Sequence, residues 1–496
     1  MVAVQSFPGV QVVELPAAVR AIAGVSTSVT ALLGRAPRGP VDRAVRVTSI
    51  ADYDRVFGGL WFESPLGYMV HQYFRNGGIE ALIVRLAPGA TAATVSLAAA
   101  GAPAAMILAA ADPGDWGETL RATVTVQGAR FSLTILEVNP SLAASDPRRV
   151  LRREDFYDLG VGATDARRVD RVLAESSRLA RCTQLSGGLP AVVTEAAFVT
   201  GGDGTAPVQA DYTTGLTLLD RFDSVNMVSL APPTRTGDVP VATWALAAAW
   251  CEGKRAMLLI DPPASWTNTA TAAAKTDLTG VTSANAAMFY PRISISDPLR
   301  EGRPLTLPPS STIAGVYART DAARGVWKAP AGNDAGLVGI TSLVARVDDA
   351  ASGALNPVGV NALRSFSDTG PVVWGARTAQ GADTRASQWK YVPVRRLALY
   401  LESSLVEGTK WAVFEPNDER LWGQLRLNIG AFMNGLFRQG AFQGSKASDA
   451  YFVKCDAETT LPSDVNRGIV NVVVGFAPLK PAEFVVLQFQ QILRAS

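Results

Sequence analysis

The order of apolar and polar positions divides the chain into stretches of different texture. From about residue 29, short buried strands and amphipathic helices take turns. VTALLGRAP reads as a strand running into a turn, and IADYDRVFGG as a short helix stopped by Gly58 and Gly59. PLGYMVHQYFRNGG reads as a longer helix ending at Gly77 and Gly78, and IEALIVRLA as a buried strand. Between about 91 and 196 the texture changes to Ala-rich turns, short strands such as LRATVTVQ and FSLTILEV, and a charged stretch, DPRRVLRREDF. The earlier rhythm resumes with TGLTLLDRFDSVNMVSLAPP, a helix followed by a strand, and KRAMLLIDPP, a strand ending in Asp-Pro-Pro.

The last third is patterned most regularly. VRRLALYLESSLVE (394–407) places Leu397, Leu401 and Leu405 on one helix face. WAVFEP is expected as a strand closed by Pro416. Asn417 is placed to cap the next helix, where Leu421, Leu425, Ile429, Phe432 and Leu436 form a long apolar stripe ending near Gly440. AYFVKCD, IVNVVVGF (469–476) and residues 483–492 are expected as three further strands. No internal repeat is evident.

Both ends of the chain look extended. Residues 1–28 carry Pro8, Gly9 and Pro16 around a weakly alternating stretch, and Ala477-Pro478-Leu479-Lys480-Pro481 separates the last strand from the one before it. The prolines stiffen that link and carry the strand away from its predecessor. A lone strand must still pair its N–H and C=O groups, which calls for strand addition to another sheet. The expected organisation is a mixed α/β, multidomain chain. It has an N-terminal arm (1–28), a discontinuous middle domain (29–90 and 197–380), an inserted β-rich peripheral domain (91–196), a C-terminal domain (381–476) and a C-terminal strand arm (477–496).

Composition narrows the function classes. With 48% hydrophobic and 18% charged residues the chain is core-rich. A net charge of +2, with acids and bases interspersed, gives no field directed at nucleic acid or an anionic membrane. Cys182, Cys251 and Cys455 are far apart, without zinc-type spacing, and read as reduced thiols. The N-terminus has no basic and apolar signal-peptide pattern. The apolar run 95–111 is interrupted by Gly101 and Pro103, short of a membrane helix.

Candidate chemistry is sparse. His71 is the single histidine, it sits in an expected helix, and no GxSxG elbow accompanies it. TGGDGT (200–205) is glycine-rich, but no GxxxxGK[ST] occurs. Glu154-Asp155 and Asp348-Asp349 are adjacent acids that do not face each other across a cleft. No cofactor or metal is expected, and the residues leave open a non-contractile self-assembling tube or shell protein or a carboxylate-dependent hydrolase.

Several stretches, taken in order, resemble the sheath proteins of contractile phage tails and phage-like contractile injection systems. They are PGVQVVELP, GVSTSVTALLGRAPRGP, VTSIADYDRVFGG, YFRNGGIEALIVRL, DPGDWGETLRATV, GGDG, AAMFYPRISISDPL, IAGVYARTDAARGVWKAPAG, LNPVGVNALR, VVWGART, WKYVPVRRLALYLESSL, KWAVFEPNDERLW, GAFQG, FVKCD and FAPLKPAEFVV. The match is poorest over about 125–196.

The resemblance implies a non-enzymatic subunit, made in the bacterial cytoplasm without a signal peptide and built into a virion tail or injection particle. Its partners would be further copies of itself in a helical sheath, an inner tube protein, and baseplate and terminator proteins, with no nucleic acid and no membrane insertion. It implies inter-subunit strand pairing through Val10, Val12, Val13 and Leu15 at one end and Phe484, Val485, Val486, Leu487 and Phe489 at the other. The linkers around Pro16, Gly24, Pro478 and Pro481 would flex. Residues 381–476 would face the tube, with Arg420, Gln424, Arg426 and Arg438 as candidate contacts.

Overall fold

The computed structural model describes residues 21–99, 102–186, 188–275 and 280–484. The chain divides into two compact units, residues 26–395 in one, and residues up to Val25 with those from Arg396 onward in the other.

The larger unit is built on an eight-stranded sheet. Its strands are β1 (Thr30–Gly34), β2 (Val45–Val47), β3 (Ala81–Arg85), β4 (Met227–Leu230), β5 (Met257–Ile260), β6 (Ala286–Tyr290), β7 (Val360–Phe366) and β8 (Gly370–Val373). They lie in the order β8-β7-β6-β5-β4-β1-β3-β2. The six central strands are parallel, and β8 and β2 close the edges antiparallel. Residues 30–34, 81–85, 227–230, 257–260 and 286–290 are buried throughout, as expected of parallel strands covered on both faces.

The helices follow from the crossovers. On one side, α1 (Ile50–Phe57), α2 (Leu66–Arg75) and α6 (Ser310–Arg324) pack a core that includes Leu32, Phe57, Tyr73, Ile83, Phe289 and Tyr317. On the other, α3 (Gln209–Thr217), α4 (Val241–Lys254), α5 (Thr269–Ala274) and α7 (Asp349–Leu355) cover Ala31, Leu33, Val84, Leu258 and Met288. Leu32 faces one layer while Ala31 and Leu33 face the other, the period of two that a strand imposes. The first helix ends where the sequence suggests: Gly58 sits at φ 92, a left-handed position that glycine occupies without a Cβ clash.

Residues 92–199 form two antiparallel sheets around a separate core with Leu108, Leu133, Ile135, Phe156 and Leu173. One has the order 94–99, 102–110, 180–185; the other 193–197, 120–127, 130–138, 150–159. Where this β-rich segment meets the large sheet, Arg85 is fully buried and donates to the carbonyls of Ala36 (2.8 Å), Gly39 (2.7 Å), Pro37 (3.2 Å) and Pro113 (2.8 Å). Burial draws its pKa down to about 10, with Asp112 and Asp203 acting the other way. Arg38 adds a second tie, reaching Glu137 at 3.1 Å and the backbone of Asp54 and Arg55.

The second unit contains α8 (Val392–Thr409) from Arg396 onward, α9 (Glu419–Arg438), and the strands β9 (Tyr451–Lys454) and β10 (Val473–Phe476). The apolar stripe of α9 is as expected: Leu421, Leu425, Ile429 and Leu436 are buried and Phe432 is half-buried. Three local expectations are corrected. WAVFEP is not a strand; Lys410–Ala412 is a 3-10 turn, and the loop after it puts Phe414 at φ 69 and fully exposed, with no partner strand among the described residues. Asp418, not Asn417, caps α9, accepting from Leu421 N at 2.9 Å, while Asn417 bonds to Trp422 Nε1 and the Ile469 carbonyl. In 469–476 only Val473–Phe476 is strand, because the residues opposite it run out beyond Lys454.

Replacing Arg85 by Met leaves four carbonyls without their shared donor. The expected loss is about 3 kcal/mol in unfolding free energy, read from the denaturant midpoint. A loss under about 0.5 kcal/mol would show that the knot adds nothing net.

Candidate functional site: an open-edged sheet in the C-terminal unit

The C-terminal unit holds the least complete element of the described chain. β9 and β10 pair with each other antiparallel, Tyr451 opposite Phe476 and Lys454 opposite Val473. Among the described residues no third strand joins either outer edge. Tyr451 and Val453 are half-buried, and Tyr451 Oη donates to the Gly430 carbonyl of α9 at 3.4 Å. The opposite face is open, with Phe452 at 50% and Val473 at 45% exposure. The Phe452 ring lies over Gly475, where a Cβ would come within 2.2 Å of it. Two strands alone are marginal in water, and among the described residues this pair leaves both its edges uncovered, with Phe452, Val473 and Lys454 exposed on one face.

The chain on either side of this sheet is fastened for a short distance only. Ala477 donates to the Ala450 carbonyl (2.8 Å) and accepts from Gln443 N (2.9 Å), and Pro478 bridges Phe442. Beyond Pro478 the described residues have no regular structure, and Phe484 is 77% exposed. At the other end, Val25 N donates to Ser404 Oγ at 3.2 Å, and Ile22 packs on Gly408. Gly24 lies so close to Tyr400 that a Cβ there would fall 1.9 Å from its hydroxyl.

The other sequence candidates divide as follows. Val10, Val12, Val13, Leu15 and Pro16, and Val485, Val486, Leu487 and Phe489, lie outside the described residues. Arg420 and Arg438 are exposed and Gln424 is half-buried. Arg426 is engaged within its own unit, by Glu419 at 2.7 Å and by the Cys455 carbonyl. His71 Nε2 lies 3.0 Å from Asp54 Oδ1. Glu154 accepts from Ser177 Oγ (2.6 Å) and Arg178 N (2.9 Å), and Asp155 from Thr134 Oγ1 (2.6 Å). Asp348 caps α7 through Ala351 N, and Asp349 pairs with Arg364. In the Gly-rich turn, Asp203 accepts from Asp115 N at 3.0 Å.

One buried group was not singled out by sequence. Asp261, the Asp of the Asp-Pro-Pro that ends β5, accepts from Ser310 N and Ser310 Oγ, both at 2.7 Å, at the start of α6. Ser229 Oγ lies 2.7 Å from Ser310 Oγ. A crevice of about 250 Å³ adjoins it, lined by Pro232, Asp238, Trp244, Pro263 and Arg292 among others. Arg292 holds Asp238 and the Pro262 carbonyl, and Asp238 accepts from Ala264 N. Asp261 thus joins the end of β5 to the start of α6, and Arg292 and Asp238 join the loops beside it.

Comparison with known proteins agrees with the fold. A family model described as the phage tail sheath protein central domain matches residues 210–379, and one for the phage tail sheath C-terminal domain matches 384–492, together more than half of the chain. The chain belongs to the contractile tail sheath family. It is 28% identical over 184 residues to the tail sheath protein of Vibrio phage KVP40, which is 37% of this chain and 26% of that one. To the tail sheath protein of Enterobacteria phage T4 it is 25% identical over 187 residues, 37% of this chain and 27% of that one. The matches thus span about a quarter of the length of these curated relatives.

Among solved structures, a chain of the anti-feeding prophage baseplate aligns with TM-score 0.62 at 24% identity, covering 99% of this chain and 100% of that one. The sheath of an extracellular contractile injection system, PVC, in its contracted state aligns with TM-score 0.62 at 23% identity, covering 99% of each chain. The sheath fold therefore extends over essentially the whole chain.

Burial pushes the Asp261 carboxyl up to about 7, although its bonds from Ser310 act to lower it. The folded state therefore keeps a proton between about pH 4 and 7 that the unfolded chain releases near pH 4. This contribution to stability falls as pH rises through that window and is constant above it. Asp261→Asn should flatten the pH dependence of the unfolding midpoint between pH 4 and 7. Identical slopes in the two proteins would contradict the assignment.

Proposed function

We propose that this chain is the structural subunit of a contractile sheath, polymerising around an inner tube by exchange of terminal strands between neighbours. The observation that carries the reading is the β9–β10 pair: two strands with open edges and an apolar face half exposed, at the end of a chain with more strand-forming sequence beyond it. Strands added from neighbouring copies would pair the edges and cover Phe452 and Val473. Exchange of this kind is head-to-tail, so it runs on into rings and helices instead of closing a dimer.

In this reading residues 381–476 face the tube. Of the candidate contacts, Arg420 and Arg438 are exposed, whereas Arg426 serves the unit's own packing. The 91–196 region is an insert at the periphery of the sheath. Baseplate and terminator proteins would meet the ends of the polymer.

Contraction would draw on a free-energy difference between two packings of the same subunits, without nucleotide hydrolysis. The extended state would be held by a kinetic barrier. Rigid-body rotation is the natural transition, with backbone changes absorbed at a few linker positions. Ala477 and Pro478 are tied to Phe442, Gln443 and Ala450, so the pliable part of the C-terminal linker would begin at Leu479 and include Pro481. On the N-terminal side, residues 22–25 are fastened to α8, which moves the pivot toward Pro16.

Deletion of 482–496 tests the proposal. The truncated chain should fold with an unchanged circular dichroism spectrum, remain monomeric by sedimentation, and give no tubes in negative stain. Ordered tubes from the truncated chain would refute strand exchange through this arm.

A further inference from the structure

Four arginines lie at or just beyond the carboxyl ends of β1, β3 and β4, and three of them meet oxygen atoms. Arg85 has its four carbonyls. Arg38 has Glu137 and the carbonyls of Asp54 and Arg55. Arg235 donates to the Phe62 carbonyl and to Tyr68 Oη, both at 3.3 Å, and pairs with Asp297. Arg35, the first residue after β1, is different. It is only 9% exposed, and among the described residues its guanidinium makes no hydrogen bond and no ion pair. Nε is cut off from water, whereas the two terminal nitrogens are not.

An arginine cannot shed its proton to escape such a position. A buried cation without a counter-charge is costly, and folded proteins set one opposite an anion. Asp203 and Arg85 lie within reach of the Arg35 charge. Asp203, however, accepts from Asp115 N at 3.0 Å and makes no bond to Arg35.

The face and the edge of this guanidinium are used differently. It stacks on Trp61, 4.8 Å from the ring centre. Stacking covers the face and leaves the N–H edge, the fork that takes a phosphate or carboxylate group in two parallel bonds. The place in the fold points the same way. β1 and β4 are neighbours in the sheet, yet β1 leads to α1 and α2 on one helical layer and β4 leads to α4 on the other. Open parallel sheets bind ligands where adjacent strands part in this manner. Arg35 does not line the crevice beside Asp261.

We propose that Arg35 holds a small free oxyanion, of the phosphate or carboxylate class, where β1 and β4 part. With so little of the residue exposed, the opening suits a small ion better than an acidic side chain carried on the surface of another copy.

The test measures anion uptake by the full chain in equilibrium dialysis at constant ionic strength, at a concentration where sedimentation shows monomers. Inorganic phosphate and acetate are the probes. The unsubstituted chain, and an Arg75→Met control at an exposed site, should bind one anion per chain. Arg35→Met, which keeps the length of the side chain without its charge, should bind at least about tenfold more weakly. Equal binding by Arg35→Met would mean an adventitious ion only and would overturn the proposal. No uptake of either probe by the unsubstituted chain would also overturn it, leaving Arg35 to water or to a second copy's carboxylate. Stability supplies a separate reading. In chloride alone the unfolding midpoint of Arg35→Met should equal or exceed that of the unsubstituted chain, because a lone buried charge is gone. A midpoint lower by about 5 °C or more would assign Arg35 to the packing and contradict the anion site.

Discussion

A strand edge presents a row of N–H and C=O groups that must be paired, and the two units of this chain treat that requirement in opposite ways. The eight-stranded sheet ends in short antiparallel strands, three residues in β2 and four in β8, the latter carrying Pro371. Short edges and proline are ways by which sheets avoid accidental pairing. The β9–β10 strands are equally short, four residues each, but neither contains a proline. Their edges stay available and Phe452 and Val473 stay in solvent, a state that makes physical sense for a subunit whose sheet is finished by another chain.

The larger unit shows how a doubly wound sheet can be used as a rigid block. In open parallel sheets the strand ends beyond the carboxyl termini usually hold a ligand. Here that crevice is occupied by structural bonds: Asp261 to the start of α6, and Arg292 to Asp238 and Pro262. Arg85 and Arg38 then join the β-rich segment to the sheet by several charge-assisted bonds at once. These bonds tie the β-rich segment to the sheet within one compact unit.

Much of this was legible in the sequence. The alternation of buried strands and glycine-stopped helices gave β1, α1, α2 and β3 nearly to the residue, because local periodicity and left-handed glycines coincide there. The heptad-like stripe of α9 was equally readable. WAVFEP was misread because alternating apolar residues describe a strand only if a partner exists, and Val413 and Phe414 instead lie on an exposed loop. Asn417 and Asp418 are both good caps, but Asn417 is taken up in accepting from Trp422 Nε1 and donating to the Ile469 carbonyl. Asp261 and Arg85 could not be found locally, since their partners lie 28 to 49 positions away in the chain.

Amide hydrogen exchange on free subunits and on assembled tubes tests the central claim most directly. If strands from neighbours complete the β9–β10 sheet, peptides covering 451–454 and 473–476 should exchange quickly in the free subunit. On assembly they should slow by about 100-fold or more, together with peptides from 483–492. Assembled tubes in which 451–454 and 473–476 exchange as fast as in the free subunit would contradict it.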